Sequence, residues 1–336
     1  MNRNGLAWAG LASRGAVGLA AVVTAMSGPA AIAQERGEEV AIEAPGPQGP
    51  LAGTMTSGGA GAPIVIIIPG SGPTDRNGDN PLGVSGGIYR QLAAGLAARG
   101  IASVRIDKRG MFGSRAAVPD PNKVKIADYA GDVRSWIGVI RKRTGAPCVW
   151  VLGHSEGGLV ALVAAQSAPD ICGLLLVSAM GRRAADVMRA QFRANPANAP
   201  VLDQALTAID SLEAGRTFDP AGLHPALAAL FAAKVQPYLI DMFSYDPARL
   251  AAAWKGPMLV LQGALDLQVS LEDASILKNA DLSAKLVTIP GVNHVLKPVA
   301  GEGRAANVAT YRDASIAIDP AVVDGIATMV LAAPRK

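Results

Sequence analysis

The sequence is poor in aromatic residues, histidines and cysteines. Aromatic residues make up only 4% of the 336 residues while half are hydrophobic, so a core must be built mainly from Ala, Val, Leu and Ile. Two cysteines are too few for a disulfide scaffold, and they show no zinc-ligand spacing. The net charge of +4 is small for this length and the basic residues are scattered, so we expect neither a nucleic-acid partner nor a polybasic membrane patch.

The N-terminus has the features of an export signal in their usual order. Arg3 and Arg14 supply positive charge, residues 16–26 form an apolar stretch, and residues 31–33 (AIA) fit a small-x-small cleavage site. We therefore expect residues 1–33 to be a signal peptide and the protein to be exported, to the periplasm or beyond. The alternative is a disordered or cytosolic N-terminus. Because a membrane span needs ~20 apolar residues, no stable membrane insertion is expected here or later in the chain.

Apolar strands alternate with helical patterns along most of the remaining chain. Residues 34–50 are charged and then rich in Pro and Gly, which indicates a linker. Residues 64–68 (IVIII) form a continuous β-branched run, which is typical of a strand buried on both faces of a parallel sheet. The alternation predicts an α/β fold with a doubly wound, mostly parallel sheet over residues 51–181 and 256–336.

The alternation of strands and helices stops over residues 182–255. This segment is rich in Ala, has a helical pattern, contains several prolines and shows no strand pattern. It therefore predicts a helical cap inserted into the α/β core.

The strongest motif is GHSEG at residues 153–157, which fits the pattern G-x-S-x-G. An apolar strand precedes it and a helix follows, as a nucleophilic serine on a sharp turn requires. Small residues two before and two after the serine leave room for that turn. The motif predicts Ser155 as a nucleophile; the alternative is a Gly-rich packing turn between a strand and a helix.

A base for this serine must come from the three histidines. His154 precedes the nucleophile, and its side chain should point away from the Ser155 hydroxyl. His224 lies in the Pro-broken insertion and suits a loop histidine. His294 follows the last predicted strand, so it lies at the same carboxyl edge of the sheet as Ser155. Elimination and position both favour His294 as the base.

An acid that orients the base should lie between the serine and the histidine in sequence. Asp266 follows the predicted strand at 258–262 and could accept the Nδ1–H of His294. Asp266 could instead be an ordinary turn aspartate, and Asp273 is a competitor that falls within a predicted helix. The loop at 178–181, the other place for such an acid, contains none, which favours Asp266.

A glycine-rich turn at residues 68–73 (IPGSGP) closes the first buried strand. Its backbone N–H groups would lie above the sheet edge, where a donor pair could stabilise an oxyanion. We expect the N–H groups of Ser71 and Glu156 to form this pair. The alternative is a phosphate-binding loop or a plain turn, but the sequence has neither the Gly-Lys-Ser/Thr of a nucleotide site nor a second dinucleotide-type glycine pattern.

Together these residues resemble the α/β-hydrolase superfamily over roughly residues 51–335, and more closely the secreted bacterial esterases of its serine-aminopeptidase-like branch. The sequence departs from the family pattern at Pro69, where a histidine is usual, and at Phe112 and Gly113, which stand one place late. The resemblance rests on residues 69–72 (PGSG), 107–114 (DKRGMFGS), 153–158 (GHSEGG), 263–269 (GALDLQV) and 293–297 (NHVLK).

The resemblance implies acyl transfer through a Ser-His-Asp triad. Ser155 would attack a carbonyl while His294 takes its proton, and water would then hydrolyse the acyl-enzyme. This chemistry needs no metal ion and no organic cofactor. The cap, residues 182–255, would cover the Ser155 edge and shape an acyl pocket with apolar side chains such as Phe231 and Phe243.

The expected substrate is a small-molecule carboxylic ester. A peptidase or amidase is the nearest alternative because it shares the chemistry, and a thioesterase is less suited to an exported protein because acyl-CoA is scarce outside the cytosol. A binding protein that kept the fold without turnover is an alternative of a different class.

The resemblance also makes a disulfide between Cys148 and Cys172 possible. Each cysteine opens one of the two strands that flank the helix after Ser155, and in the superfamily these strands are parallel neighbours. Neighbouring strands lie ~4.8 Å apart, within the ~4.4 to 6.8 Å that a disulfide accepts between Cα atoms. The alternative is two buried free thiols.

Overall fold

An eight-stranded sheet forms the centre of the chain in a computed structural model that describes residues 37–332. The strands follow the order β1-β2-β4-β3-β5-β6-β7-β8 across the sheet. From β4 to β8 all neighbours are parallel, while β2 pairs antiparallel with both β1 and β4. The expected doubly wound, mostly parallel sheet is confirmed. The strands are β1 (Glu39–Pro45), β2 (Pro50–Thr56), β3 (Ile64–Ile68), β4 (Ala102–Ile106), β5 (Val149–His154), β6 (Ile171–Val177), β7 (Met258–Gly263) and β8 (Lys285–Ile289).

Helices cover both faces of this sheet. The helices of the described residues are α1 (Ile88–Ala98), α2 (Ile126–Thr144), α3 (Glu156–Ala165), α4 (Ala184–Ala194), α5 (Leu202–Glu213), α6 (Pro225–Ala228), α7 (Gln236–Phe243), α8 (Pro247–Ala253), α9 (Leu271–Ala280), α10 (Gly303–Ala309) and α11 (Pro320–Ala332).

The continuous apolar sequence of β3 follows from this two-sided cover. Ile66 packs in the cluster that includes α2 and α3, whereas Val65 and Ile67 pack in the cluster that includes α1 and α11. Each of these side chains is fully buried, and burying one contributes ~1.5–3 kcal/mol. Since neither face of β3 meets water, no polar residue alternates with the apolar ones.

The expected linker over residues 34–50 is wrong, because this segment contains the edge strand β1. Ile42 and Ala44 of β1 are buried against the core while Glu43 between them faces solvent. Residues 46–49 join β1 to β2, so the Pro- and Gly-rich composition marks a hairpin turn. The core therefore begins earlier than residue 51. The predicted signal peptide, residues 1–33, lies outside the described residues.

The segment at 182–255 is helical and lies between β6 and β7, carrying α4 to α8. Several hydrogen bonds join it to the rest of the protein, and two of them show where it is held. Asp241 accepts from the backbone N–H of Ile126 at 2.9 Å, and Gln191 Nε2 donates to the carbonyl of Gln268 at 2.9 Å. The insertion is thereby held against the start of α2 and the loop after β7.

The expectation that Phe231 and Phe243 shape a substrate pocket is wrong. Both side chains are almost fully buried within the main hydrophobic cluster. The Phe231 ring stacks on Phe192 at 6.5 Å between centroids and lies 6.4 Å from Phe218. Both phenylalanines therefore build the core of the insertion, and we expect their truncation to destabilise the fold by ~3–5 kcal/mol.

Cys148 and Cys172 are joined in a disulfide, with 5.2 Å between their Cα atoms. Cys148 directly precedes β5 and Cys172 lies in β6, at the amino end of these neighbouring strands. The bond thus ties the sheet together at the edge opposite to the loops that follow the strands. No helix within residues 37–332 is both long and apolar enough to cross a membrane.

We expect loss of this disulfide to lower the melting temperature. The cysteines are 24 residues apart, and closing a loop of that length stabilises a fold by about 3 kcal/mol in the chain-entropy model. Thermal unfolding of the wild type with and without reductant measures the effect. The double variant Cys148→Ser/Cys172→Ser is the control and should not respond to reductant. Two alkylatable thiols in the denatured, unreduced wild type would contradict the bond.

Candidate active site

Ser155 lies on a strained turn between β5 and α3. Its backbone has φ 55° and ψ −122°, a region that residues other than glycine rarely adopt. A Cβ on Gly153 would stand 2.1 Å from the carbonyl oxygen of Gly157, and a Cβ on Gly157 would stand 2.4 Å from that of Ile68. Only glycine fits at either position. The two glycines of the motif thus permit the turn that brings Ser155 to the carboxyl edge of the sheet.

Asp266 and His294 form a buried pair at the same edge. Asp266 follows β7, His294 follows β8, and His294 Nδ1 lies 2.8 Å from Asp266 Oδ2. The side chains are only 6% and 1% exposed for the histidine and the aspartate. Because a carboxylate accepts, Nδ1 of His294 carries the proton and Nε2 is left as the basic nitrogen.

The Asp266 carboxylate is held by further donors. Its Oδ1 accepts from the backbone N–H groups of Gln268 at 2.8 Å and Val269 at 2.9 Å, and its Oδ2 accepts from Gln262 Nε2 at 3.0 Å. Burial raises the pKa of Asp266, but the contacts with His294 and these N–H groups outweigh it and hold the pKa below its ordinary value. Asp266 therefore stays ionised and fixed in orientation.

Ser155 and His294 are not hydrogen-bonded to each other in the part of the chain that the structure describes. The His294 backbone nevertheless lies beside the serine turn, because its carbonyl oxygen is 2.9 Å from Nε2 of His154, the residue before Ser155. Hydrogen bonds between a catalytic serine and its base are often long before substrate binds.

Asp273, the competing acid, lies elsewhere. It is fully buried at the start of α9 and accepts from Arg182 Nη2 at 2.7 Å, from the Gly181 N–H at 3.2 Å and from the Ser270 hydroxyl at 2.8 Å. These bonds fasten the segment after β6 to α9. Asp273 is thus engaged in structure and is not paired with His294.

His154 is a link between two loops. Its Nε2–H donates to the His294 carbonyl at 2.9 Å, so its Nδ1 accepts from the Tyr89 hydroxyl at 2.8 Å. That hydroxyl in turn accepts from the Gly70 N–H at 3.0 Å. Both ring nitrogens of His154 are thereby occupied away from Ser155. The third histidine, His224, is exposed and caps the short helix α6.

Burial, together with the neighbouring His294, lowers the pKa of His154 to about 3. The unfolded chain, with a histidine pKa of 6.5, therefore binds a proton between pH 6.5 and 3 that the folded chain does not bind. The stabilising effect of neutral His154 is complete above pH 6.5 and is lost as the pH falls through this window.

We expect His154→Gln to remove this pH dependence. The melting temperature of the variant should be lower than that of the wild type at about pH 7, and the difference should shrink toward about pH 4. Melting curves of both proteins across this range measure it. A difference that stays constant with pH would contradict a neutral, buried His154.

The glycine-rich loop lies directly beside the serine. A Cβ on Gly70 would stand 3.3 Å from the Cβ of Ser155. The N–H of Gly70 donates to the Tyr89 hydroxyl. Ser71 is exposed, and its N–H makes no hydrogen bond within residues 37–332. Glu156 opens α3, so its N–H is among those that have no partner inside the helix. Both N–H groups are therefore available as donors, and their role as an oxyanion pair stays a prediction.

A metal site is not apparent among the described residues. No group of three or more His, Cys, Asp or Glu side chains between residues 37 and 332 is arranged to hold a metal ion.

The sheet order, the strained serine turn and the helical insertion after β6 define an α/β hydrolase. The model of the serine aminopeptidase family S33 matches residues 82–297, and the chain belongs to that family. Among characterised proteins it is similar to the esterase EstD of Thermotoga maritima, with 26% identity over 82% of this chain. The match spans 63% of the length of that esterase.

Solved structures show the same fold at low sequence identity. Est1E from Butyrivibrio proteoclasticus superposes with a TM-score of 0.54 and 16% identity, covering 86% of this chain and 99% of its own. A puromycin-hydrolysing peptidase of Mycobacterium tuberculosis superposes with a TM-score of 0.56 and 14% identity, covering 89% of this chain and 40% of its own. At these identities the comparison supports the fold alone.

Proposed function

We propose that the protein is a serine esterase that hydrolyses small-molecule carboxylic esters through Ser155, His294 and Asp266. The observation that carries this proposal is the 2.8 Å pair of His294 Nδ1 and ionised Asp266, at the sheet edge where Ser155 occupies its strained turn. The pair leaves a basic Nε2 on His294, which is what a general base for a serine hydroxyl requires.

The reaction proceeds in two steps. His294 Nε2 takes the proton of the Ser155 hydroxyl as its oxygen attacks the ester carbonyl, and Asp266 stabilises the imidazolium. The N–H groups of Ser71 and Glu156 donate to the oxyanion. His294 then gives its proton to the leaving alcohol, and a water molecule repeats the sequence on the acyl-enzyme.

One ion pair beside the serine favours an ester over a peptide. A peptidase that reads a free amino terminus needs an unpaired carboxylate near the nucleophile. Glu156, next to Ser155 in the chain, is buried and paired with Lys108 Nζ at 3.1 Å. The similarity to the esterase EstD supports the same choice, while the description of the serine aminopeptidase family supports the amide alternative.

A substrate panel tests this proposal. p-Nitrophenyl esters of increasing acyl length and aminoacyl p-nitroanilides are compared by kcat/KM on one preparation. We expect the best ester to exceed the best anilide by about 100-fold or more, a gap of ~2.7 kcal/mol in transition-state binding. Faster hydrolysis of the anilides would replace the esterase proposal with an aminopeptidase.

We also propose that the protein is exported. The signal-like order of residues 1–33 supports this, and so does the disulfide between Cys148 and Cys172, because such bonds persist in oxidising compartments. Sequencing the N-terminus of protein recovered from the periplasm or the medium tests it. The expected first residue is Gln34; a chain that keeps Met1 and stays in the cytosol would contradict export.

A further inference from the structure

Lys108, two residues after the end of β4, is a buried basic side chain that the mechanism above does not use. It is 2% exposed, its Nζ donates to the Gly70 carbonyl at 2.7 Å and to Glu156 Oε1 at 3.1 Å, and it lies 5.4 Å from the centre of the Tyr129 ring. Taking both charges of such a pair out of water costs several kcal/mol per ion, so a buried pair is weak evidence of a gain in stability. Its placement therefore calls for another reason.

The two partners of Lys108 belong to the two halves of the proposed oxyanion hole. The Gly70 carbonyl is part of the same peptide unit as the Ser71 N–H, and Glu156 supplies the second N–H from its own backbone. In a trans peptide the C=O and the N–H point in opposite directions. Lys108 holds the oxygen on the buried side, so the Ser71 N–H is turned to the opposite side of that peptide.

The contact also changes the strength of the donor. A charge-assisted hydrogen bond to a carbonyl polarises its peptide unit, and hydrogen bonds linked through one unit strengthen one another. The Ser71 N–H thereby becomes a better donor and is fixed before the reaction begins, which is the property that makes an oxyanion hole effective.

We propose that Lys108 is the positioning residue of the oxyanion hole, aligning and polarising the Ser71 N–H through Gly70 and tying it to the Glu156 end of α3. This inference rests on the proposed function, since it assumes that Ser155 attacks an ester carbonyl. Lys108 itself touches no reacting atom.

The loop has other anchors, so loss of Lys108 should act locally. Tyr89 holds the Gly70 N–H, and Asp107 accepts from the Arg76 N–H at 2.8 Å and from its side chain. Because these contacts remain, loss of the Lys108 contact lets the peptide unit between Gly70 and Ser71 change its orientation. The backbone of the rest of the loop stays in place.

The test compares an ester with its thionoester, in which sulfur replaces the carbonyl oxygen. Sulfur is a weak hydrogen-bond acceptor, so the oxyanion hole favours the oxoester, whereas the nucleophile and the base serve both substrates. We expect Lys108→Met to lower kcat on the oxoester with little change in KM. The oxoester-to-thionoester ratio of kcat/KM should fall by about 10-fold, less than the ~10²–10³-fold that loss of a whole donor costs.

Lys297→Met is the matched control. Lys297 is also fully buried, and its Nζ donates to the carbonyls of Thr310 at 3.0 Å and Asp313 at 2.7 Å, in the loops around His294. Loss of Lys297 can disturb the base His294 and the fold, but hydrolysis of the oxoester and of the thionoester depends on both to the same extent. The ratio should therefore stay within about twofold of the wild type, since only the hole discriminates between oxygen and sulfur.

Lys108→Met leaves the Glu156 carboxylate buried without its partner, which destabilises a fold. The double variant Lys108→Met/Glu156→Gln removes that charge, and we expect the same fall in the ratio from it. A ratio that stays at the wild-type value in the folded variants, whatever happens to kcat, would overturn the positioning role. A wild type that turns over neither ester would overturn the proposed function itself, and the role of Lys108 with it.

Discussion

Ser155→Ala should lower kcat for ester hydrolysis by about 10⁵- to 10⁶-fold. Alanine removes the only oxygen that can form the acyl-enzyme and changes nothing else at the turn. The residual rate should come from substrate binding and from the N–H donors of Ser71 and Glu156, which the variant keeps. Steady-state kinetics on the best p-nitrophenyl ester measure the loss, and circular dichroism with a melting curve shows that the variant is folded.

Ser275→Ala serves as the control for this variant. Ser275 lies on the exposed side of α9, where its hydroxyl donates only to the Leu271 carbonyl. Its activity should equal that of the wild type. Substantial esterase activity in Ser155→Ala, above that of a mock preparation, would mean that another residue is the nucleophile.

Asp266→Asn should lower kcat by about 10⁴-fold while the fold is retained. An amide in place of the carboxylate can present its NH₂ group to His294 Nδ1. The imidazole would then carry its proton on Nε2, where it cannot accept from Ser155. The backbone donors of Gln268 and Val269 can still reach the remaining amide oxygen. KM should change little, because Asp266 acts through His294.

Asp273→Asn is the matched control. Asp273 is the competing acid, because it is also a buried aspartate that lies between Ser155 and His294 in sequence. It is bonded to Arg182 and Ser270, so its loss should lower the melting temperature more than kcat. Wild-type activity in Asp266→Asn together with a large loss of kcat in Asp273→Asn would move the acid to Asp273.

The parts of the site that could be predicted from the sequence are those that depend on local patterns. The glycines around Ser155 mark the turn because their missing side chains are required there, as the close approaches at Gly153 and Gly157 show. Asp266 and His294 could be placed because each follows an apolar strand, and the carboxyl ends of parallel strands share one edge of the sheet.

The contacts that link these parts depend on residues far apart in the chain, and no local pattern indicates them. Tyr89 meets His154 across 65 residues, and Lys108 meets Glu156 across 48. Gln262 is closer to its partner Asp266, and one signal was available for it: a polar side chain at the end of an apolar strand. Side-chain geometry is needed to turn such a signal into a hydrogen bond.

The errors in the fold also have a physical cause. Strand β1 has few large apolar residues, and only its Ile42 and Ala44 are buried. It is an edge strand that is stabilised by pairing with β2. Its composition therefore differs little from that of a linker. Phe231 and Phe243 lie in the helical insertion, but their burial depends on how its helices pack, which composition does not show.

Labelling of the wild type with a fluorophosphonate tests the central claim most directly. The probe phosphonylates an activated serine, so a single adduct per chain is expected, and peptide mapping by mass spectrometry should locate it on Ser155. Labelling should be lost in Ser155→Ala and slowed in Asp266→Asn, because the base is no longer correctly protonated. An adduct on a different residue, or no adduct on a folded protein that hydrolyses esters, would contradict the assignment of Ser155 as the nucleophile.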